Sequence, residues 1–191
     1  MSKLYIYAGI AASIVLIAFG AGSIYTGLDG RDRVRDDLAR EMIVGTEDSS
    51  IAGQKVDTGK EAEEFAAVMR KHTLEATGGQ TYAQMGRFLD ENGKPTSDEA
   101  AAAKDPKTGK PVENGLRNMW VTSTALTTAL NTAYFAERVS EFAIVMGIAL
   151  LLTGIGFLVV TLGALRVALR TESDTEKVAS AKAKASGPLP A

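Results

Sequence analysis

The sequence contains no cysteine and a single histidine among its 191 residues. Without cysteine the chain can form no disulfide, no thiolate nucleophile, no Cys-ligated zinc site and no iron–sulfur cluster. Aromatic residues are also few, at 6% of the chain with one tryptophan. With these chemistries excluded and one histidine in the chain, we expect no cofactor.

Charge is absent from two long stretches. Residues 4–28 carry none over 25 positions, and residues 142–165 carry none over 24. A bilayer core about 30 Å thick needs about 20 apolar helical residues, so both stretches are long enough to span it. We therefore predict a transmembrane helix over 4–28 and another over 142–165. A cleaved signal peptide is the alternative for the first stretch, although its apolar run is longer than the usual h-region.

The positive charges near the two stretches do not by themselves decide the orientation in the membrane. Arginines at 31, 33, 35 and 40 follow the first stretch, and basic residues of the tail follow the second, so the two sides are nearly balanced. A long loop crosses the membrane largely regardless of its charge. We therefore expect a plasma-membrane protein with both termini in the cytoplasm and the segment 29–141 outside.

The segment 29–141 reads as helical, which makes the predicted fold all-α: a two-pass hairpin carrying a helical extracytoplasmic domain. Val34, Leu38 and Met42 continue the first helix as a charged stem, as one bent helix or as two helices separated at Gly30. A second helix is expected from about Lys60, capped by Asp57 or Thr58, to the Gly78-Gly79 break. Around residues 51–56 a short extended piece is expected.

The rest of this segment is rich in turn-forming residues, and the tail is rich in alanine, lysine and serine. Residues 90–115 hold three of the five prolines and two Gly-Lys-Pro triplets, which predict two similar turns. Short helices are expected over 81–89 and behind Ser97. One long helix from about Leu116 to about Arg170 is expected to support the outer domain, because no glycine or proline interrupts it before the second span. The tail 171–191 is predicted to be disordered.

Small residues recur every seven positions in the two apolar stretches. Such a repeat keeps one face of a helix toward a partner, and small residues allow close approach in lipid. The rows are Ser13, Gly20 and Gly27 in the first stretch, and Gly147, Gly154 and Thr161 in the second, with a parallel row of Ala149, Gly156 and Gly163. We expect the two stretches to pack as a hairpin, with one row of the second stretch against the first stretch and the other facing a second copy or another protein.

His72 and Glu75 form the only pair with a metal-ligating pattern. We interpret His72 as a residue of the last turns of its helix, interacting with the helix dipole, because no second histidine or cysteine completes a usual site. Gly78-Gly79 lacks the strand and the lysine of a phosphate-binding loop. Acidic side chains outnumber basic ones between residues 29 and 141, which argues against nucleic acid. The scarce aromatics, Tyr82, Phe88, Trp120, Tyr134 and Phe135, are expected to form the core of this segment.

The run "HTLEATGGQTYAQMGRFLDENGKPTSDEAAAAKDPKTGKPVENGLRNMWVTSTALTTALN", followed by "GIALLLTGIGFL", resembles a family of two-span membrane proteins from actinobacteria. The resemblance implies a similar fold over nearly the whole chain but no established activity. Many members bear the automatic label "aromatic ring-opening dioxygenase". Iron dioxygenases with a facial triad need two histidines and a carboxylate, and this chain has one histidine. Relatives often carry cysteines near positions 51 and 65, which are absent here.

Taken together, these features predict a small, non-enzymatic, two-pass membrane protein of the cell envelope. We expect it to act as an accessory or scaffold subunit, alone as a homo-oligomer or within a larger membrane complex. One alternative is a metal-binding or enzymatic domain that uses His72 and Glu75. Another is a ligand-binding domain, which a deep apolar pocket would favour.

Overall fold

The computed structural model describes residues 3–185, which form two compact units. The terminal unit consists of residues 3–28 and 141–185, and the central unit is Asp29–Ser140. Over these residues the chain folds into three helices, α1 (Lys3–Arg40), α2 (Gly59–Ala76) and α3 (Gly115–Ala185). Two short strands, β1 (Phe88–Leu89) and β2 (Pro95–Thr96), pair antiparallel. The predicted all-α fold class is confirmed, since the described chain is mostly helical with little strand.

Both α1 and α3 contribute to the two units, and both are long and apolar enough to cross a membrane. Gly30 does not interrupt α1, so the first helix and its charged stem are continuous. In the terminal unit, α1 and α3 run antiparallel: Gly9 lies against Thr161, and Gly20 lies against Gly147. Their large apolar side chains mostly point away from this contact and are exposed.

The start and end of α2 follow from its sequence. Thr58 is the N-cap, and Glu61 completes a capping box by accepting the Thr58 N–H while the Thr58 side chain accepts from the Glu61 N–H. At the other end Gly78 and Gly79 have φ values of 61° and 79°, the left-handed conformation that glycine adopts without steric cost. The predicted boundaries of this helix are confirmed.

Two short predicted helices are wrong. Residues 81–89 form turns and then β1, because the Leu89 N–H donates to the Val112 carbonyl and the Leu89 carbonyl accepts from Ala103, bonds between distant segments. Behind Ser97 the alanine run is likewise a turn, since the Ala103 N–H is already committed to Leu89. Tertiary hydrogen bonds therefore override local helix propensity here.

The two Gly-Lys-Pro triplets do form similar turns. Gly93 and Gly109 have φ values of 76° and 67°, and each turn is closed by an aspartate side chain. Asp90 Oδ1 accepts from the backbone of Asn92 and Lys94, while Asp105 Oδ1 accepts from that of Lys107 and Thr108. These hydrogen bonds lower the pKa of the Asp105 carboxyl.

The third helix is longer than expected. It continues to Ala185, so residues 171–185, for which we expected disorder, are helical, while residues 186–191 lie outside the described part of the chain. The physical reason is that alanine, lysine and glutamate are strong helix formers, and an existing helix extends without a new nucleation step. Large apolar residues are few there, but they are not needed for such an extension.

The core of the central unit is aliphatic. Its buried cluster is Leu38, Ile51, Val56, Ala62, Ala66 and Leu130. Residues 51–56 are partly extended, where an extended piece was expected. Lys55 pairs with Val44, and Ala52 pairs with Gly45, as isolated β-bridges. The predicted aromatic core is wrong: Trp120 is buried, but Tyr82 is 42% and Phe135 66% exposed.

Candidate functional site

An apolar groove lies in the central unit, where α1, α2 and α3 meet. Its cavity volume is about 640 Å³, within the range of about 300–1,000 Å³ that small-molecule sites occupy. We call it the apolar groove, and it is lined by Val34, Asp37, Leu38, Glu41, Ile43, Phe65, Met69, Leu126, Ala129, Leu130, Thr132, Ala133 and Ala136.

Four-residue spacing on each helix builds the walls. Val34 and Leu38 share a face of α1, and Phe65 and Met69 share a face of α2. Half of the third wall, from α3, is alanine: Ala129, Ala133 and Ala136 stand beside Leu126, Leu130 and Thr132. Because alanine ends at Cβ, this wall leaves space that leucine or phenylalanine would fill. The three alanines on α3 therefore leave part of the space of the groove open opposite Phe65 and Met69 of α2.

The chemistry of the groove is that of a binding surface. Its polar side chains are the carboxylates of Asp37 and Glu41 and the hydroxyl of Thr132. Asp37 is paired with the Arg40 guanidinium, so part of this negative charge is compensated. Such a lining suits a molecule with an apolar body, held by contact area and oriented by a few polar groups.

A buried carboxylate fixes the three helices around the groove. The side chain of Glu137, on α3, is only 6% exposed, and its Oε1 accepts from Arg35 Nε of α1 at 2.6 Å. Its Oε2 accepts from the backbone N–H of Gly59, the first residue of α2, at 2.5 Å. A Cβ on Gly59 would lie 2.6 Å from this oxygen and 2.9 Å from the backbone Cα of Tyr134. Glu137 thus ties both other helices to α3, and glycine is required where α2 begins.

The structure places His72 beside Asp48 rather than beside Glu75. His72 Nε2 lies 2.8 Å from Asp48 Oδ2, which also accepts from Lys71 Nζ at 3.1 Å. Hydrogen bonds from His72 and Lys71 hold the pKa of the Asp48 carboxyl well below its usual range. Glu75 faces the Lys71 ammonium at 4.0 Å. This cluster joins the loop before α2 to the end of α2.

A metal site at His72 has no support from this geometry. Residues 3–185 contain no group of three or more His, Cys, Asp or Glu side chains able to hold a metal ion. The Lys71 ammonium contacts the same Asp48 oxygen as His72, so a cation entering there would meet a positive charge. The Asp48 partner could not be predicted, because it lies 24 positions away in an irregular loop.

The rows of small residues differ in their surroundings. Ser13, Gly20, Gly27, Gly147 and Gly154 are buried within the terminal unit, and Thr161 is partly buried. A Cβ on Gly20 would lie 2.8 Å from the Gly147 carbonyl oxygen, and one on Gly154 would lie 2.9 Å from the Ile17 nitrogen. The other row is open: Ala149, Gly156 and Gly163 are exposed, and a Cβ on either glycine meets nothing within 4 Å.

Sequence reasoning did not find the groove or Glu137. Glu137 is one acidic residue among many, and its partners lie 102 and 78 positions away. The alanines at 129, 133 and 136 were a signal for open space on α3, but only the packing of α2 and α1 turns that space into a cavity.

Comparison with known protein families, curated proteins and solved structures finds no match to this chain.

Proposed function

We propose that this chain is a two-pass membrane protein whose central unit is a non-enzymatic binding domain on the extracytoplasmic side. In this proposal both termini are cytoplasmic, and the apolar groove takes up an apolar small molecule such as an acyl or isoprenoid chain. The volume and lining of the groove carry the proposal, because 640 Å³ of mostly apolar space suits such a body. A role as an accessory subunit of the cell envelope is part of the same proposal.

The exposure of the two apolar helices supports the membrane part. In their most apolar stretches only 17% of α1 and 11% of α3 is buried, and Phe19 and Val160 are 69% and 70% exposed. Burying one large apolar side chain is worth about 1.5–3 kcal/mol, so a surface of this kind is unfavourable in water. A lipid bilayer satisfies it, since both helices satisfy their own backbone hydrogen bonds.

The topology can be tested directly, because the chain lacks cysteine and gives no background. We expect Gln80→Cys, in the exposed turn after α2, to react with a membrane-impermeant maleimide in intact cells. Ser180→Cys, exposed near the end of α3, should react only after the cells are opened. The reverse pattern would contradict the proposed orientation, and equal labelling of both would contradict the two-pass arrangement.

Binding in the groove is tested on the full chain in lipid nanodiscs with a long-chain alcohol that carries a photoreactive diazirine. We expect cross-links on central-unit peptides that contain Phe65, Met69 or Ala129, besides those that lipid-dissolved probe leaves on the apolar helices. Ala129→Phe fills the groove and should remove the central-unit cross-links. Ala125→Phe, one turn earlier on α3 and outside the lining, should not.

The cross-links on the apolar helices serve as an internal control, because both variants leave those residues unchanged. Central-unit labelling that is equal in Ala129→Phe and Ala125→Phe would refute the groove as the binding site. If the central unit is not labelled at all while the apolar helices are, the proposed function itself fails.

A further inference from the structure

A second, polar cavity lies in the central unit at the start of α3. Its volume is about 190 Å³, and it is lined by Tyr82, Arg87, Phe88, Glu113, Asn114, Arg117, Asn118 and Val121. It shares no lining residue with the apolar groove. Two guanidinium groups within so small a space are unusual, because like charges repel unless something offsets them.

Aromatic rings hold both guanidinium groups. Arg117 Cζ lies 3.9 Å from the centroid of the Tyr82 ring, and Arg87 Cζ lies 5.3 Å from that of Phe88. A guanidinium over a ring keeps its charge, because the ring attracts the cation without binding a proton or supplying a negative charge. The N–H donors of Arg87 and Arg117 therefore stay available for a ligand.

Neither guanidinium has a carboxylate partner. Within residues 3–185, Arg87 and Arg117 make no side-chain hydrogen bond and no ion pair within 4.0 Å. By contrast, the stem arginines Arg33 and Arg35 have carboxylate oxygens at 2.9 Å and 2.6 Å. Glu113 lines the same cavity, but the polar contact of its carboxylate is a long one, 3.5 Å from Asn118 Nδ2.

Helix α3 adds a positive potential to the cavity. Arg117 lies in its first turn, where the helix dipole is positive, and its own backbone N–H donates to the Asn114 carbonyl at 3.0 Å. The Asn114 side chain also accepts from the Leu116 N–H at 3.1 Å, and its own amide donates to the Gly86 carbonyl at 2.9 Å. Asn114 therefore fixes the cavity wall, and the two arginines remain to bind a ligand.

From this geometry we propose that the cavity binds an oxyanion group, a carboxylate or a phosphate, on a small ligand. Planar guanidinium groups with free in-plane donors match the oxygens of such a group in a bidentate manner. Tyr82 and Phe88 add apolar edges for the body of the ligand. Glu113 opposes the anion electrostatically and so sets a limit on the affinity.

The test is calorimetric titration of the full chain in nanodiscs made of zwitterionic lipid, at constant ionic strength. Inorganic phosphate and acetate are the two probes, and they distinguish a tetrahedral from a planar oxyanion. We expect saturable binding of at least one. Arg117→Gln should weaken the binding at least tenfold. Arg117→Lys keeps the positive charge but loses the paired N–H donors of the planar guanidinium, so it should weaken the binding by an intermediate factor.

Two further variants make the test specific. Glu113→Gln removes the opposing charge and should tighten binding several-fold, an effect that a damaged fold would not give. Arg33→Gln removes an arginine of α1 outside the cavity and should leave binding unchanged. The proposal is refuted if neither probe binds, if Arg117→Gln binds as well as the unchanged chain, or if Arg33→Gln loses as much affinity. These results do not depend on the apolar groove.

Discussion

Removing the Glu137 carboxylate tests whether one buried group holds the three helices of the central unit together. Its side chain is 6% exposed and accepts from Arg35 and from the Gly59 N–H. Glu137→Ala leaves the guanidinium without this carboxylate and the backbone donor without an acceptor in a buried place. Arg35 is 43% exposed and can be hydrated once the carboxylate is lost, so the cost lies at the lower end of the range for breaking a buried pair, about 3 kcal/mol. This is still a large part of the stability of a small domain.

Two further substitutions separate charge from shape. Glu137→Gln keeps one acceptor oxygen and loses the charge, so we expect a cost of about 1.5–3 kcal/mol, that of one charge-assisted hydrogen bond. A double variant with methionine at both Arg35 and Glu137 replaces the pair by apolar groups. It should cost less than the sum of the two single variants, since apolar replacements of buried pairs are often close to neutral.

The assay uses Trp120, the only tryptophan of the chain, which is 8% exposed in the central unit. Its fluorescence follows urea unfolding of that unit in nanodiscs. With an m-value of about 1–3 kcal/mol per M, Glu137→Ala should lower the midpoint by at least about 1 M. Glu75→Ala removes an exposed carboxylate 4.0 Å from Lys71 and is the matched control, with little expected change. Equal midpoints for these two variants would refute the role given to Glu137.

Two other predictions concern the loop cluster and the terminal unit. Because the pKa of Asp48 is lowered on folding from its usual 3.8, its contribution to stability is complete above that value and is lost as the pH falls below it. The urea midpoints of the unchanged chain and Asp48→Asn should therefore differ at pH 6 and converge toward pH 2; a constant difference would contradict this. In the terminal unit Gly147→Val places atoms within 2.7 Å of the Gly20 carbonyl oxygen and should cost about 1–3 kcal/mol. We expect less monodisperse protein after heating in mild detergent, whereas Gly156→Val, in open space, should behave as the unchanged chain does.

The parts of the fold that the sequence predicts are those set by local physics. The charge-free runs, an N-cap at Asp57 or Thr58 and the glycines at 78 and 79 are visible in contiguous residues, so the apolar helices and the ends of α2 could be predicted. The sequence alone does not decide whether α1 continues through Gly30, and in the structure it does so to Arg40. The segment 81–103 could not be predicted. There the Leu89 N–H donates to the Val112 carbonyl, and the Ala103 N–H donates to the Leu89 carbonyl. No local pattern shows which distant partner a backbone group will take.

The candidate sites were missed for a related reason. Each of them needs side chains from segments far apart: Glu137 with Arg35, Asp48 with His72, and Tyr82 with Arg117. Without an alignment of homologues, a single sequence carries no information on such pairs. Only the small-residue rows indicated which residues lie at a contact. A seven-residue repeat marks one face of a helix, but it does not show which residues of another segment that face meets.

Aromatic rings of the central unit contact arginine side chains, although acidic side chains outnumber basic ones in this unit. We expected them in a core, but the core is aliphatic, and four of them lie under guanidinium groups. The pairs are Arg70 with Trp120, Arg87 with Phe88, Arg117 with Tyr82 and Arg138 with Tyr134. A guanidinium on a ring keeps its charge, and two of these four, Arg87 and Arg117, have no carboxylate partner among residues 3–185. Tyr82 is 42% exposed and so of little value to the core, but its ring centroid lies 3.9 Å from Arg117 Cζ and holds that side chain at the cavity. Tyr82→Leu should therefore weaken anion binding several-fold with little change in the urea midpoint, whereas Phe135→Leu should change neither.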